Sequence, residues 1–197
     1  MLNQTQDATH LANQLLIAMP GMLDENFAGA VIYLCEHNSN GAMGLVVNQP
    51  TDIDLQNVFG KIDIKLDIDP LLHQPVYFGG PVQTERGFIL HPNVTDVQYS
   101  SSLPVPGGLA MTTSKDVLEA VSMGKGPSKF LMTLGYSGWG AGQLEDEISR
   151  NGWLNVDADI ANIEEIIFDT PCELRYQKVL NLIGIDPRHL SGDVGHA

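Results

Sequence analysis

Strand-like and helix-like segments follow one another along this chain, which predicts a mixed fold of interspersed strands and helices in one domain. Three observations carry that expectation. Ala30 to Cys35 and Ala42 to Asn48 are apolar, β-prone runs on either side of a Ser39-Asn40-Gly41 turn, the pattern of a hairpin. Ser114 to Met123 and Thr170 to Gly184 carry the start and stop residues of helices. Phe130 to Leu154 joins an apolar run to Gly135, Gly138, Gly140 and Gly142, then to a helix-like stretch that stops at Asn151-Gly152.

In chain order, residues 1–10 are polar and expected to be loose, or the start of a short helix. Leu15 to Met19 reads as the first buried strand, ended by Pro20-Gly21. Beyond the hairpin, Pro50 closes the third strand and Asp54 is placed to cap a short helix over Leu55 to Ile62. Residues 63–74 are acidic and mixed, an irregular connection. Val76-Tyr77-Phe78 leads into Gly79-Gly80-Pro81, Val82 to Arg86 fits a strand edge or a wide turn, and Gly87 to His91 reads as a strand. Asn93 to Gly108, rich in Ser, Pro and Gly, fits a loop or a short edge strand.

Leu109 to Thr113 is the next strand, and Ser114 is expected to cap the helix that Gly124 stops. Gly124 to Lys129 connects onward; Pro127 and the missing Gly-Lys-Ser/Thr order exclude a phosphate loop. The central stretch then reads as strand, glycine turn and a helix from near Gly142. Trp153 to Val156 is a strand, and Ile160 to Phe168 is short and helical or mixed. Thr170-Pro171-Cys172-Glu173 combines a capping box with proline at the first helical position, with Leu174, Val179, Leu182 and Ile183 as the apolar face. The polar tail from Asp186 to Ala197 is expected to be flexible.

The 24 acidic against 10 basic residues give a formal charge of −14. Such a surface repels nucleic-acid phosphates and anionic membranes, so neither is an expected partner. Cys35 and Cys172 form no Cys-x-x-Cys pair and no disulfide framework. The first basic residue is Lys61, so no charged leader precedes the apolar Leu15–Met19 run, itself too short to span a bilayer. These features predict a soluble, cytoplasmic protein.

A strand, a glycine turn and a helix N-terminus would present free N–H groups to a ligand or partner. The alternative is that the glycines only bring helix and strand together, with Tyr136 and Trp139 as core plugs, and the residues leave both open. The glycine spacing is not a dinucleotide fingerprint, and Glu145 and Glu147 would repel a phosphate. Cys35 and His37, two apart on a strand end, should share a face, where an imidazole could activate a thiol. The competing reading is an inert core cysteine with a rim histidine. Arg86 either holds an anionic ligand or pairs with one of the many carboxylates. His10, His73, His91, His189 and His196 show no ligand spacing, so no metal or other cofactor is expected.

Leu16-Ile17-Ala18-Met19-Pro20, Val31 to Asn38 and Gly41 to Asn48 are similar to motifs of the bacterial YqgE/AlgH family. So are Val76 to Gln83 with Glu85-Arg86-Gly87, and Leu134 to Glu145. The chain is identified by this resemblance as a member of that family. The resemblance implies an α+β fold, a mixed and mostly antiparallel sheet rolled into a barrel-like core with flanking helices. It implies no settled activity and no agreed catalytic residues; some members are proposed transcriptional regulators linked to alginate production. The acidic charge disfavours direct operator binding, so a regulatory effect would pass through another protein.

The expected site is a surface where three segments converge to take a small molecule or a protein partner. It comprises Glu36, His37 and Asn38 of the hairpin, Asn48, Gly79, Gly80 and Arg86, and Tyr136, Trp139, Gln143 and Glu145. The competing expectation is a thiol-dependent enzyme using Cys35 as nucleophile and His37 as base.

Overall fold

The computed structural model describes residues 10–94, 96–186, 188 and 190. The expectations for the chain ends fall mainly on 1–9, 187, 189 and 191–197, which lie outside these residues. Among the described residues ten strands form one curled sheet: β1 Leu15–Ala18, β2 Val31–Asn38, β3 Gly41–Val46, β4 Pro50–Asp54, β5 Pro75–Phe78, β6 Val82–Pro92, β7 Ser102–Pro104, β8 Leu109–Thr112, β9 Leu131–Gly140 and β10 Trp153–Val156. Among the described residues six helices flank it: α1 Leu55–Lys61, α2 Asp69–Leu72, α3 Asp116–Ser122, α4 Gln143–Ser149, α5 Ile160–Glu164 and α6 Cys172–Leu182. A π-helical turn, Glu165–Asp169, continues α5.

The sheet runs β10-β1-β2-β3-β9-β6-β8-β7 with antiparallel neighbours. It curls into a half-barrel, as the mixed α+β expectation held. β5, backed by β4, joins in parallel through Tyr77 beside Thr133 and Phe78 beside Leu134. β9 therefore touches β3, β5 and β6 at once. In β2, Val31, Tyr33 and Cys35 enter one apolar cluster and Ile32 and Leu34 another, the alternation of a strand buried on both faces. The first cluster lies against α6, which adds Val179 and Leu180; the second includes Trp139, Leu144 and Trp153; a third sits beneath α1 and α3. Each fully buried Leu or Ile contributes about 1.5–3 kcal/mol.

Local capping explains some boundaries and corrects others. Asp54 caps α1 as expected, accepting from the Asn57 N–H at 2.9 Å while Asn57 accepts from the Asp54 N–H. Pro50 begins β4 rather than merely ending a strand, a position where its missing N–H costs no ladder bond. Ser114 does not cap α3; Lys115 occupies that place and the Ser114 hydroxyl meets Asp116. Thr170 forms no capping box, because its hydroxyl donates to the Glu165 carbonyl at 2.9 Å, and Pro171 stands at the N-cap. On α6, Leu174, Leu182 and Ile183 are exposed, and the buried side carries Arg175, Val179 and Leu180.

The largest correction concerns the central stretch. No turn occurs at Gly135, Gly138 or Gly140: β9 runs unbroken through all three, and α4 begins only after Gly142, which takes a φ of 72°. The bare backbone is needed because other strands press against it. A Cβ on Gly80 would lie 2.2 Å from the Tyr136 carbonyl carbon, and one on Gly41 would lie 2.0 Å from the Trp139 oxygen.

Candidate functional site

Cys35 and His37 do not share a face. A β-bulge shifts the β2–β3 register between Leu34 and Glu36, and the alternation slips with it. Cys35 turns into the first cluster at 2% exposure, its Sγ 3.8 Å from the Tyr33 carbonyl. Burial, with a smaller push from the Glu36 charge, raises its thiol to about 12. His37 turns the other way and is 5% exposed. Its Nδ1 accepts from the Leu11 N–H at 3.2 Å, which places the neutral ring's proton on Nε2, 2.8 Å from Glu145 Oε1. A hydrogen bond from its own backbone N–H, and then His37, hold the Glu145 carboxyl below its ordinary value. No thiolate–imidazole pair exists in this arrangement.

The residues around α4 form a second constellation. Trp139 is 6% exposed, stacked on Phe27 and edge-on to Trp153. Its indole N–H donates to Glu147 Oε2 at 3.0 Å, and the Trp153 indole N–H donates to the same oxygen at 2.8 Å. Gln143 donates to the other Glu147 oxygen at 2.9 Å and accepts from the Gly140 N–H at 2.9 Å. This network ties α4 to β9 and β10, so Trp139 acts as a core plug.

Glu36 and Asn38 lie on the opposite side of the hairpin, where Asn38 Nδ2 donates to Glu36 Oε1 at 2.8 Å. With Met43, Val82 and Tyr136 they line a shallow groove of about 390 Å³ along β9. Tyr136 is half-buried, its ring edge-on to Phe88. Trp139 borders the groove, although its indole belongs to the second cluster. Gly79 and Gly80 are buried; the Gly79 carbonyl accepts from the Val46 N–H at 2.9 Å and the Ser137 hydroxyl at 3.1 Å.

Asn48 stands apart, accepting from the Val31 N–H and donating to the Gly29 carbonyl, both at 2.8 Å, so it braces the approach to β2. Arg86 donates to Thr113 at 3.0 Å and Gln83 at 3.4 Å and lies 5.7 Å from the Phe88 ring centre. It makes no ion pair among the described residues. Neighbouring Glu85 and Gly87 border a separate, more apolar groove of about 490 Å³ between α1 and α3. The three expected segments thus meet along β9, mostly through packed backbone; of the expected site residues, Glu36, Asn38, Tyr136 and the margin of Trp139 border one hollow, which Val82 of the third segment also lines.

Sequence reasoning missed Arg175, which is 5% exposed on α6. Its position four residues before Val179, on the apolar side of the helix, was the available signal. Among the described residues, no three His, Cys, Asp or Glu side chains gather closely enough to hold a metal ion, and no helix is long and apolar enough to cross a membrane.

A family model described as AlgH-like matches residues 15–188. A UPF0301 protein of Paraburkholderia phymatum is 62% identical over 194 residues, covering 98% of this chain and 99% of its own. One from Burkholderia vietnamiensis is 60% identical over 196 residues and covers 100% of both. Among solved structures, the solution structure of the AlgH protein from Pseudomonas aeruginosa is similar at a TM-score of 0.77 and 46% identity, over 98% of this chain and 100% of that one. A Corynebacterium diphtheriae protein shares the fold at a TM-score of 0.58 and 23% identity, over 75% of this chain and 76% of its own. These matches span the strands, the hairpin and the β9–α4 unit described above: the chain belongs to the AlgH-like family.

Proposed function

We propose that this chain is a non-enzymatic binding protein that acts in the cytoplasm through a small molecule or a protein partner. The observation that carries the reading is the separation of Cys35 from His37 by the β2 bulge. The thiol is sealed and protonated, and the imidazole is held between Leu11 and Glu145. The groove along β9 remains accessible, and there Glu36, Asn38 and Tyr136 offer acceptors, donors and a half-exposed ring beside Met43 and Val82. Such a mixed, shallow surface suits recognition better than sequestered chemistry. With a formal charge of −14, any regulatory effect runs through a partner rather than through DNA.

Two measurements test this. In a Cys172→Ser background, alkylation of native Cys35 should be slow and show no thiolate inflection between about pH 6 and about pH 10. A fast thiol titrating in that range removes the non-enzymatic reading. A photo-crosslinking residue at Asn38 should capture a partner in cell extract that the same residue at Asn57, on α1, does not capture. Equal capture at both positions removes the groove.

A further inference from the structure

Arg175 is a buried cation with no carboxylate paired to it among the described residues. Its Nε donates to the Thr170 carbonyl at 2.9 Å, one terminal nitrogen donates to the Val47 carbonyl, and the guanidinium lies 5.1 Å from the Tyr77 ring centre. No ion pair reaches it among the described residues. Glu173, two residues before it on the exposed side, feels it only weakly. Carbonyl dipoles and a ring face offset part of the cost of burying a charge, and a guanidinium with five N–H groups keeps donors to spare.

Arg175 borders a pocket of about 260 Å³ between β5, α6 and the start of β9. Phe130, Phe168 and Leu71 supply apolar wall, while Ser128 and Gln74 supply neutral polar groups. Lys129 also borders it, already paired with Asp169 at 2.6 Å. The Lys129 charge is already offset by Asp169, whereas Arg175 has no ion-pair partner among the described residues, and a planar guanidinium matches a carboxylate better than a point charge would.

We propose that this pocket binds a small organic carboxylate, the carboxylate on the Arg175 guanidinium and an apolar or aromatic body against Phe130 and Phe168. None of its lining residues borders the hairpin groove, so the two sites stand or fall separately. A ligand here would sit between α6 and β5 and stabilise the docking of that helix through mass action.

The test uses benzoate on the full-length protein, followed by amide chemical shifts and thermal unfolding. Benzoate should saturate with a Kd of about 1 mM or tighter and move the resonances of Phe130, Leu131 and Phe168. Benzamide, the neutral counterpart, should bind at least about tenfold more weakly. Gln74→Trp, which narrows the mouth from an exposed position, should abolish the shifts while keeping the unliganded melting temperature. Arg175→Lys keeps the charge but loses the fork, and should weaken benzoate about tenfold or more. Equal binding of benzamide, persistence in Gln74→Trp, or absence of saturable shifts would overturn the proposal. So would displacement of benzoate by an equimolar amount of inorganic phosphate, which would mark a phosphoryl site.

Discussion

Glu147 gathers three hydrogen bonds, two of them from indole N–H groups that pack against each other at the edge of the second cluster. Truncation would leave both indole donors without their acceptor, and each such orphan costs about 1–3 kcal/mol. Glu147→Ala should therefore lower unfolding stability by about 2–4 kcal/mol in urea titration, whereas Glu147→Gln, which keeps one acceptor oxygen, should cost less than half of that. His91 makes the complementary case. Its Nδ1–H donates to the Pro92 carbonyl at 2.8 Å and its Nε2 lies 2.8 Å from the Thr112 hydroxyl. Burial lowers its value from the ordinary 6.5, only partly offset by the Pro92 carbonyl. Below 6.5 the unfolded chain takes up a proton that the folded chain resists, so this residue's share of stability is lost as pH falls through 6.5 toward the folded value. The melting temperature should decline over that interval, and His91→Gln should flatten the decline.

β9 shows how one strand can be recognised and misread together. Its apolar start was legible because Leu131, Met132 and Leu134 have no competing interpretation. Its glycines suggested a turn, since nothing local distinguishes a glycine that bends the chain from one that lets a distant strand come close. The distinction lies in Gly80, with a φ of 149° and a virtual Cβ 2.2 Å from the Tyr136 carbonyl carbon, 56 residues away in sequence. Gly80→Ala should prevent β6 and β9 from seating, costing more than about 3 kcal/mol or abolishing soluble expression, while Gly21→Ala, which meets nothing within 4 Å, should be nearly silent. The β2 bulge is hidden for a similar reason. Val31 to Asn38 reads as an even alternation, and only pairing with β3 reveals the slip that parts Cys35 from His37.

Across the molecule, the family motifs were a sound guide to the half-barrel. They said little about which polar residues face a hollow. Asn48 and Gly79 hold backbone together, and Arg175 sat unnoticed on an otherwise apolar helix side. The charge of −14 has a thermodynamic consequence of its own: self-repulsion favours the expanded chain and is screened within about 10 Å at 0.1 M salt. Raising sodium chloride from about 20 mM to about 500 mM should lift the melting temperature by a few degrees; a fall would place the balance with specific ion pairs instead.

The order in which a ribosome emits this chain gives β9 a further importance. β3, β5 and β6 are all synthesised before residues 131–140 arrive to join them, and β1 waits for β10 at residues 153–156. Until then the nascent polypeptide holds unmatched strand edges that invite chaperones or other chains. Assembly of the sheet therefore waits on its later strands and is slow for its size, because its decisive pairings join segments far apart in sequence.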